Sequence, residues 1–245
     1  SLECCEEQTK WMAWCCPLRI GIQDSEVHGM IDVTLIDSMG SDLTVVNAAR
    51  VSFNKKSEWD DDNKLTVNDS ILISYLARNR HMSPFGHCFA TFHVKAPVFI
   101  ARQLVKHKFL RWNEISRRYV DEKPTFHTPN TWRGRADDKK QGSSGEVSIS
   151  YRMISTLAKH EVWCNKAYND LLEQGVAPEQ ARMVLPQSTM TEWYWSGSLD
   201  AWSDMCRLRQ GEDAQHETRL VANSISMDMS TLYPDSWAAL QAYNR

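Results

Sequence analysis

The run from Arg102 to Tyr119 concentrates charge. It holds the lysines and arginines Arg102, Lys106, Lys108, Arg111, Arg117 and Arg118, together with His107, against a single carboxylate, Glu114. The whole chain of 245 residues has a formal net charge of −3, so this positive charge is local and suits a polyanionic ligand. Arginine forks fit phosphate oxygens. Gln103 and Ser116 add neutral donors and acceptors that can read the polar edges of a ligand. The plain alternative is a solvated basic helix end, since cations are favoured at a helix C-terminus by the macrodipole.

The elements that must carry these groups follow from pattern. Pro97 opens an apolar stretch through Val98, Phe99, Ile100, Leu104 and Val105, which predicts a helix over 97–108. Upstream, residues 88–94 alternate as a half-buried strand does. Ile31, Val33 and Leu35 alternate likewise. Ser41-Asp42 caps a short helix through Ala49, and Asn68-Asp69 caps a second, with Ile71, Leu72, Tyr75 and Leu76 on one face. Residues 120–146 are polar and rich in Pro, Gly, Asp and Lys, which predicts a mobile surface loop that could act as a lid. A helix over 147–173 stops at Gly175, and Pro178 starts a short one. Thr189 to Trp195 reads as a strand, Ser198 caps a helix through Arg209, and a last helix spans about 213–232. The pattern is α+β, a single domain with neither a βαβ repeat nor a Gly-x-Gly-x-x-Gly turn.

Several of these segments together resemble the flavin-dependent thymidylate synthases. They are His81-Met82-Ser83-Pro84-Phe85-Gly86-His87, Phe92-His93-Val94-Lys95-Ala96-Pro97, Ala101-Arg102-Gln103, and Lys106-His107-Lys108 with Ser116 after seven residues. That family's signature is Arg-His-Arg, seven residues, Ser, then a nearby Arg-Tyr, matched here by Arg118-Tyr119. Asn113-Glu114 and Asn47-Ala48-Ala49-Arg50-Val51-Ser52-Phe53 also match, as do Ala181-Arg182-Met183-Val184-Leu185-Pro186 and Leu208-Arg209 with Ala214-Gln215-His216-Glu217. The resemblance is collinear from about residue 28 to 240, leaving 1–27 as an extension without a functional account.

The resemblance implies an antiparallel sheet packed with long helices, a homotetramer whose sites are shared between subunits, and conversion of dUMP to dTMP. It implies methylenetetrahydrofolate as carbon donor, FAD as cofactor and NADPH as its reductant. By position, Gln103, Leu104, Val105, Lys106, Glu114, Ile115, Ser116, Arg117, Arg118, Arg182 and Arg209 would bind dUMP. Arg209 would be catalytic: a guanidinium at the pyrimidine N3–O4 edge raises nucleophilicity at C5. FAD would meet Ser52, His81, Ser83, Lys106, His107, Lys108, Glu114, Ser198, Leu199, Asp200 and Asp204. The chain departs from the pattern in using lysine for both signature arginines, which keeps the charge but loses the planar fork. Ser198 and Asp204 stand where asparagines are common.

Two other readings stay open. The basic segment with Trp112 and Tyr119 could track a single-stranded nucleic acid, although the acidic balance and the distant Arg182 and Arg209 motifs weigh against it. A relative with impaired catalysis is the other. The seven cysteines are odd in number and scattered, which fits a reducing cytoplasm rather than a disulfide framework. The pairs Cys4-Cys5 and Cys15-Cys16 lack the spacing of a zinc site, so no metal is expected. Cys88, Cys164 and Cys206 fit apolar faces and read as core residues, His87 and His93 as structural. No apolar run approaches the length of a membrane span, and the start of the chain lacks the basic residues of a signal peptide.

Overall fold

The computed structural model describes residues 30–120, 122–136 and 142–243; the expectations for residues 1–27 lie outside them. One four-stranded antiparallel sheet organises the chain, in the order β1 (Asp32–Met39), β2 (Phe89–Pro97), β6 (Met190–Ser198), β3 (Arg111–Glu114). Strand alternation sorts its residues as the period of two requires. Ala90, Phe92, Val94 and Ala96 of β2, and Trp193 and Trp195 of β6, are buried. The register sets Phe92 opposite Trp195 and Trp195 opposite Trp112. The result is an indole cluster: Trp112 stacks on Trp193 with centroids 4.3 Å apart, and Trp202 meets Trp195 and Phe92 edge-on, each at 5.0 Å. Each such pair contributes about 0.5–1.5 kcal/mol beyond area burial, and truncating Trp195 would cost about 3–5 kcal/mol.

Helices α1 (Asp42–Arg50), α2 (Val67–Arg78), α3 (Val98–Leu104), α6 (Leu199–Arg209), α7 (His216–Leu232) and α8 (Pro234–Tyr243) cover this core, while α4 (Tyr151–Glu173) and α5 (Pro178–Ala181) pack against each other. Val221, Ala222, Ile225 and Met229 form the buried stripe of α7, at the spacing of one helical face. Asp42, buried in α1, accepts hydrogen bonds from the backbone N–H groups of Asp235 and Ser236 at 3.0 and 2.9 Å. It thereby satisfies the exposed donors at the start of α8.

The structure corrects several sequence expectations. The helix expected over 97–108 ends at Leu104, and residues 111–114 are a strand. The cause is tertiary: β3 pairs along the edge of β6, with Arg111 opposite Ser196, and Leu110 packs so closely on Gly197 that a Cβ there would lie 2.2 Å from Leu110 Cδ2. The cap of α2 is Thr66, whose hydroxyl accepts from the Asp69 N–H. Asp69 is buried and binds Arg50 instead, at 2.5 Å. On the same helix, Ile71 and Tyr75 are exposed rather than part of the buried face. The region 120–146 contains a hairpin of β4 (Arg133–Arg135) and β5 (Ser143–Glu146), and Phe126 bridges to Thr189. The long helix begins at Tyr151, capped by Ser150. The last expected helix starts at His216, and α8 follows it.

Candidate active site

The turn after α3 meets the end of α6 in a closed polar cluster. Burial of Ile100, Ala101 and Leu104 orients α3, leaving Gln103 toward α7. There its Nε2 donates to Gln215 Oε1, and its Oε1 accepts from Thr218 Oγ1 at 3.4 Å. Arg209 lies in the last turn of α6, where a cation is favoured. Its Nη2 donates to the Gln103 carbonyl at 3.2 Å and its Nε to His107 Nε2 at 3.0 Å. The Arg209 side chain is therefore held, not a free surface cation. His107 must be neutral to accept that bond. Burial first, and the adjacent Arg209 charge second, press its pKa down to about 4, against a smaller opposing pull from Asp204. The His107 ring also rests edge-on near Trp195, with centroids 6.3 Å apart, so the indole core backs the site.

On the other side of α3 lies a cavity of about 510 Å³. Arg102 and Val105 of α3, Glu114 and Ile115 of the signature segment, Arg117, and Arg182 after α5 line it. Three of the arginine donors are directed by neutral oxygens: Arg117 Nη1 donates to the Glu122 carbonyl at 2.8 Å, Arg182 Nε to the Glu179 carbonyl at 3.3 Å, and Arg118 Nε to Ser116 Oγ at 3.2 Å. Arg118 also lies over the Tyr119 ring at 4.9 Å. Glu114 is held by Thr191 Oγ1 at 2.7 Å and by Trp112 Nε1 at 3.2 Å. Among the described residues no carboxylate forms an ion pair with Arg102, Lys106, Lys108, Arg111, Arg117, Arg118 or Arg182. Arg102, Arg117 and Arg182 thus line the cavity beside Glu114 and Glu179 without pairing with them, and this excess of unpaired cations in a concave site suits an anionic ligand.

The residues nominated for the flavin fall in two places. Ser52, His81 and Ser83 line a cavity of about 860 Å³ between α1 and α2, with Phe53, Ile71, Leu72 and Tyr75 as its apolar wall. His81 meets Tyr75 edge-on at 5.9 Å. Lys106, His107 and Lys108 are not among its lining residues. His107 instead meets Arg209 at the end of α6, and at the start of that helix Ser198 Oγ donates to Asp200 Oδ1 at 2.5 Å. The exposed Asp204 acts on His107 through its charge. The side chains of Leu104 and Leu199 are buried in the core, which leaves only their backbone for a ligand.

Sequence reasoning gave no role to Gln215, Glu217, Arg133, Thr191 or Thr218. Gln215 and Glu217 were visible in the Ala-Gln-His-Glu motif; for the others the sequence carried no signal. His87 is exposed, and His93 pairs with Glu192 at 3.2 Å. Cys88, Cys164 and Cys206 are buried, and burial raises the pKa of each thiol, that of Cys88 to about 12. Such protonated thiols are poor nucleophiles. Among the described residues no cluster of three or more His, Cys, Asp or Glu side chains is placed to hold a metal ion, and no helix is long and apolar enough to cross a membrane.

Residues 34–235 match the family described as thymidylate synthase complementing protein. The chain is 40% identical over 211 residues to the flavin-dependent thymidylate synthase of Thermus thermophilus, covering 86% of this chain and 76% of that protein. It is 36% identical over 218 residues to the enzyme of that name from Treponema denticola, covering 87% and 80%. A crystal structure of a UMP/dUMP methylase, PolB from Streptomyces cacaoi bound with 5-Br dUMP, superposes with a TM-score of 0.77 at 32% identity. That match covers 88% of this chain and 96% of the other.

Proposed function

This chain belongs to the family of thymidylate synthase complementing proteins, and on that premise we propose that it is a flavin-dependent thymidylate synthase converting dUMP to dTMP. Methylenetetrahydrofolate is the carbon donor and NADPH the reductant. The observation that carries the reading is the junction at α3, where Arg209, held by His107 and Gln103, is separated by one helix from a cavity lined by three arginines that form no ion pair among the described residues.

Each group has a task in that reaction. Arg117, Arg118 and Arg182 bind the 5′-phosphate, and Ser116 adds a hydroxyl beside Arg118. Val105 and Ile115 wall the nucleotide, while Lys106 and the Leu104 backbone close its edge. Gln103 and Glu114 contribute polar contacts. Arg209 stabilises negative charge developing on the uracil ring, and so strengthens C5 as a nucleophile. Neutral His107 orients Arg209 without competing for its charge.

The donor set fits FAD. Lys106 and Lys108 are exposed and form no ion pair among the described residues, as a pyrophosphate needs. The cavity at Ser52, His81 and Ser83 offers an apolar wall with polar rims, as a planar ring system needs. His107, Glu114, Ser198, Asp200, Asp204 and the Leu199 backbone complete the set. When bound, FAD supplies reducing equivalents and relays the one-carbon unit, which removes the need for a cysteine nucleophile.

The division of the flavin residues between two places in one protomer favours a homotetramer with shared sites. The first half of α4 supports it, since Met153, Ile154, Val162 and Trp163 are exposed there, the last two at 70% and 60%. Soluble cofactors and substrates of this kind favour a cytoplasmic location. The test is purification followed by a visible spectrum and anaerobic turnover of labelled dUMP with NADPH and methylenetetrahydrofolate. A flavin spectrum with dTMP formation is expected. A flavin-free protein that binds single-stranded nucleic acid, or a flavoprotein without turnover, would overturn the assignment.

A further inference from the structure

The hairpin β4–β5 reaches the closed cluster through a part-buried ion pair. Arg133 Nη2 donates to Glu217 Oε1, and the two side chains are 22% and 8% exposed. Burial alone would raise the Glu217 pKa, but the hydrogen bond and charge of Arg133, with a contribution from the Gln215 amide, bring it below its ordinary value. The carboxylate is therefore ionised and can only accept hydrogen bonds. Glu217 Oε2 is buried with no hydrogen-bond partner among the described residues; the Gln215 side chain is the neighbour that, after Arg133, lowers the Glu217 pKa, and an ionised oxygen there favours the NH₂ end of that amide. Gln215 then turns its Oε1 to Gln103, whose Nε2 donates to it. Gln103 Oε1 is left to accept from Thr218, and its main chain is pinned by Arg209.

We propose that Glu217, held by Arg133, sets the hydrogen-bond direction of the Gln103 amide through Gln215 and so makes Gln103 selective for uracil over cytosine. The inference rests on the dUMP reading above. An amide is nearly symmetric in shape, and its two ends differ only in donating or accepting. Uracil presents a C4 carbonyl acceptor and an N3–H donor, whereas cytosine reverses both. An amide free to flip satisfies either base; one fixed by a distant carboxylate satisfies one and leaves a polar group unpaired against the other. Glu217 and Arg133 act through Gln103 and are positioning residues. If the ion pair merely fastened the hairpin to α7, its loss would weaken all nucleotides alike.

The decisive measurement is the ratio of dUMP to dCMP affinity, read by equilibrium dialysis on purified protein. Glu217→Gln keeps the shape but can present either end to Gln215. Gln215→Met breaks the relay while leaving the Arg133–Glu217 pair intact, and so answers the question even if the first variant does not fold. Both are expected to narrow the ratio about tenfold, the effect of about 1.4 kcal/mol, mainly by improving dCMP relative to dUMP. A wild-type preference that either folded variant retains in full overturns the relay alone. A wild type that binds neither nucleotide overturns the dUMP reading, and the relay with it.

Discussion

On the α7 side of α3, Gln103, His107 and Arg209 satisfy one another, whereas on the opposite side Arg102, Arg117 and Arg182 line a cavity together with Glu114 and Glu179 and form no ion pair among the described residues. The first arrangement is preorganised: its donors are aimed before any ligand arrives, and no reorganisation is needed when charge develops. The second holds its cations ready but leaves their pairing to the ligand. Catalytic rate and base selectivity should therefore reside on one face of α3 and affinity for the phosphate on the other.

The largest expected effect comes from the closed face. Arg209→Ala should lower kcat by about 10²–10³, as loss of one preorganised charge contact does, with flavin content and fold unchanged. Anaerobic turnover of labelled dUMP measures it. Activity within a few-fold of wild type would remove Arg209 from the chemistry and leave the two faces equivalent.

Arg182→Ala addresses the open face. Loss of a charge-assisted contact weakens binding by about 1.5–3 kcal/mol, or ten- to about a hundredfold in dUMP affinity, with a smaller change in kcat. The same cavity predicts that dUMP raises the thermal midpoint of wild type more than that of Arg182→Ala, because only binding to the folded state stabilises it. A fall in kcat at constant affinity would reverse the assignment of the two faces.

A smaller effect separates burial from charge within the closed cluster. The folded-state pKa of His107, about 4, lies below its ordinary value of 6.5. Its neutral form therefore contributes stability that is fully present above about pH 6.5 and is lost as pH falls toward 4. The His107 ring resonance should stay flat from pH 8 to about 5. Arg209→Ala should raise the midpoint only in part, since burial is the larger cause. Titration near 6.5 in wild type would show that His107 does not accept from Arg209.

The smallest expected change is at the thiols. Cys88→Ala, Cys164→Ala and Cys206→Ala, each singly, should alter stability but leave dTMP formation within a few-fold, because each sulfur is buried and protonated. Complete loss of turnover in a folded variant would point to a thiol nucleophile on neither face of α3.

Much of this molecule was legible in one dimension, and the parts that were share a cause. The alternation of β2, the Ser41 cap of α1, the Ser198 start of α6 and the stop of α4 before Gly175 are local, encoded in periods of two or 3.6 and in the chemistry of chain ends. The signature from Lys106 to Ser116 was legible for a similar reason, since charge density and spacing survive without a fold. The tertiary structure alone decided where those groups meet. The turn at Leu110 packs on Gly197, while the start of α8 depends on Asp42 some 193 positions away, and the polarity of Gln103 on Gln215 and Thr218, 112 and 115 positions away. A hydrogen bond needs its two atoms within about 3 Å, and nothing in a local period specifies which distant residue will supply the second one. For that reason the sequence could name Arg209 and Arg182 together, while only the packing of α3 against α7 set them on different faces.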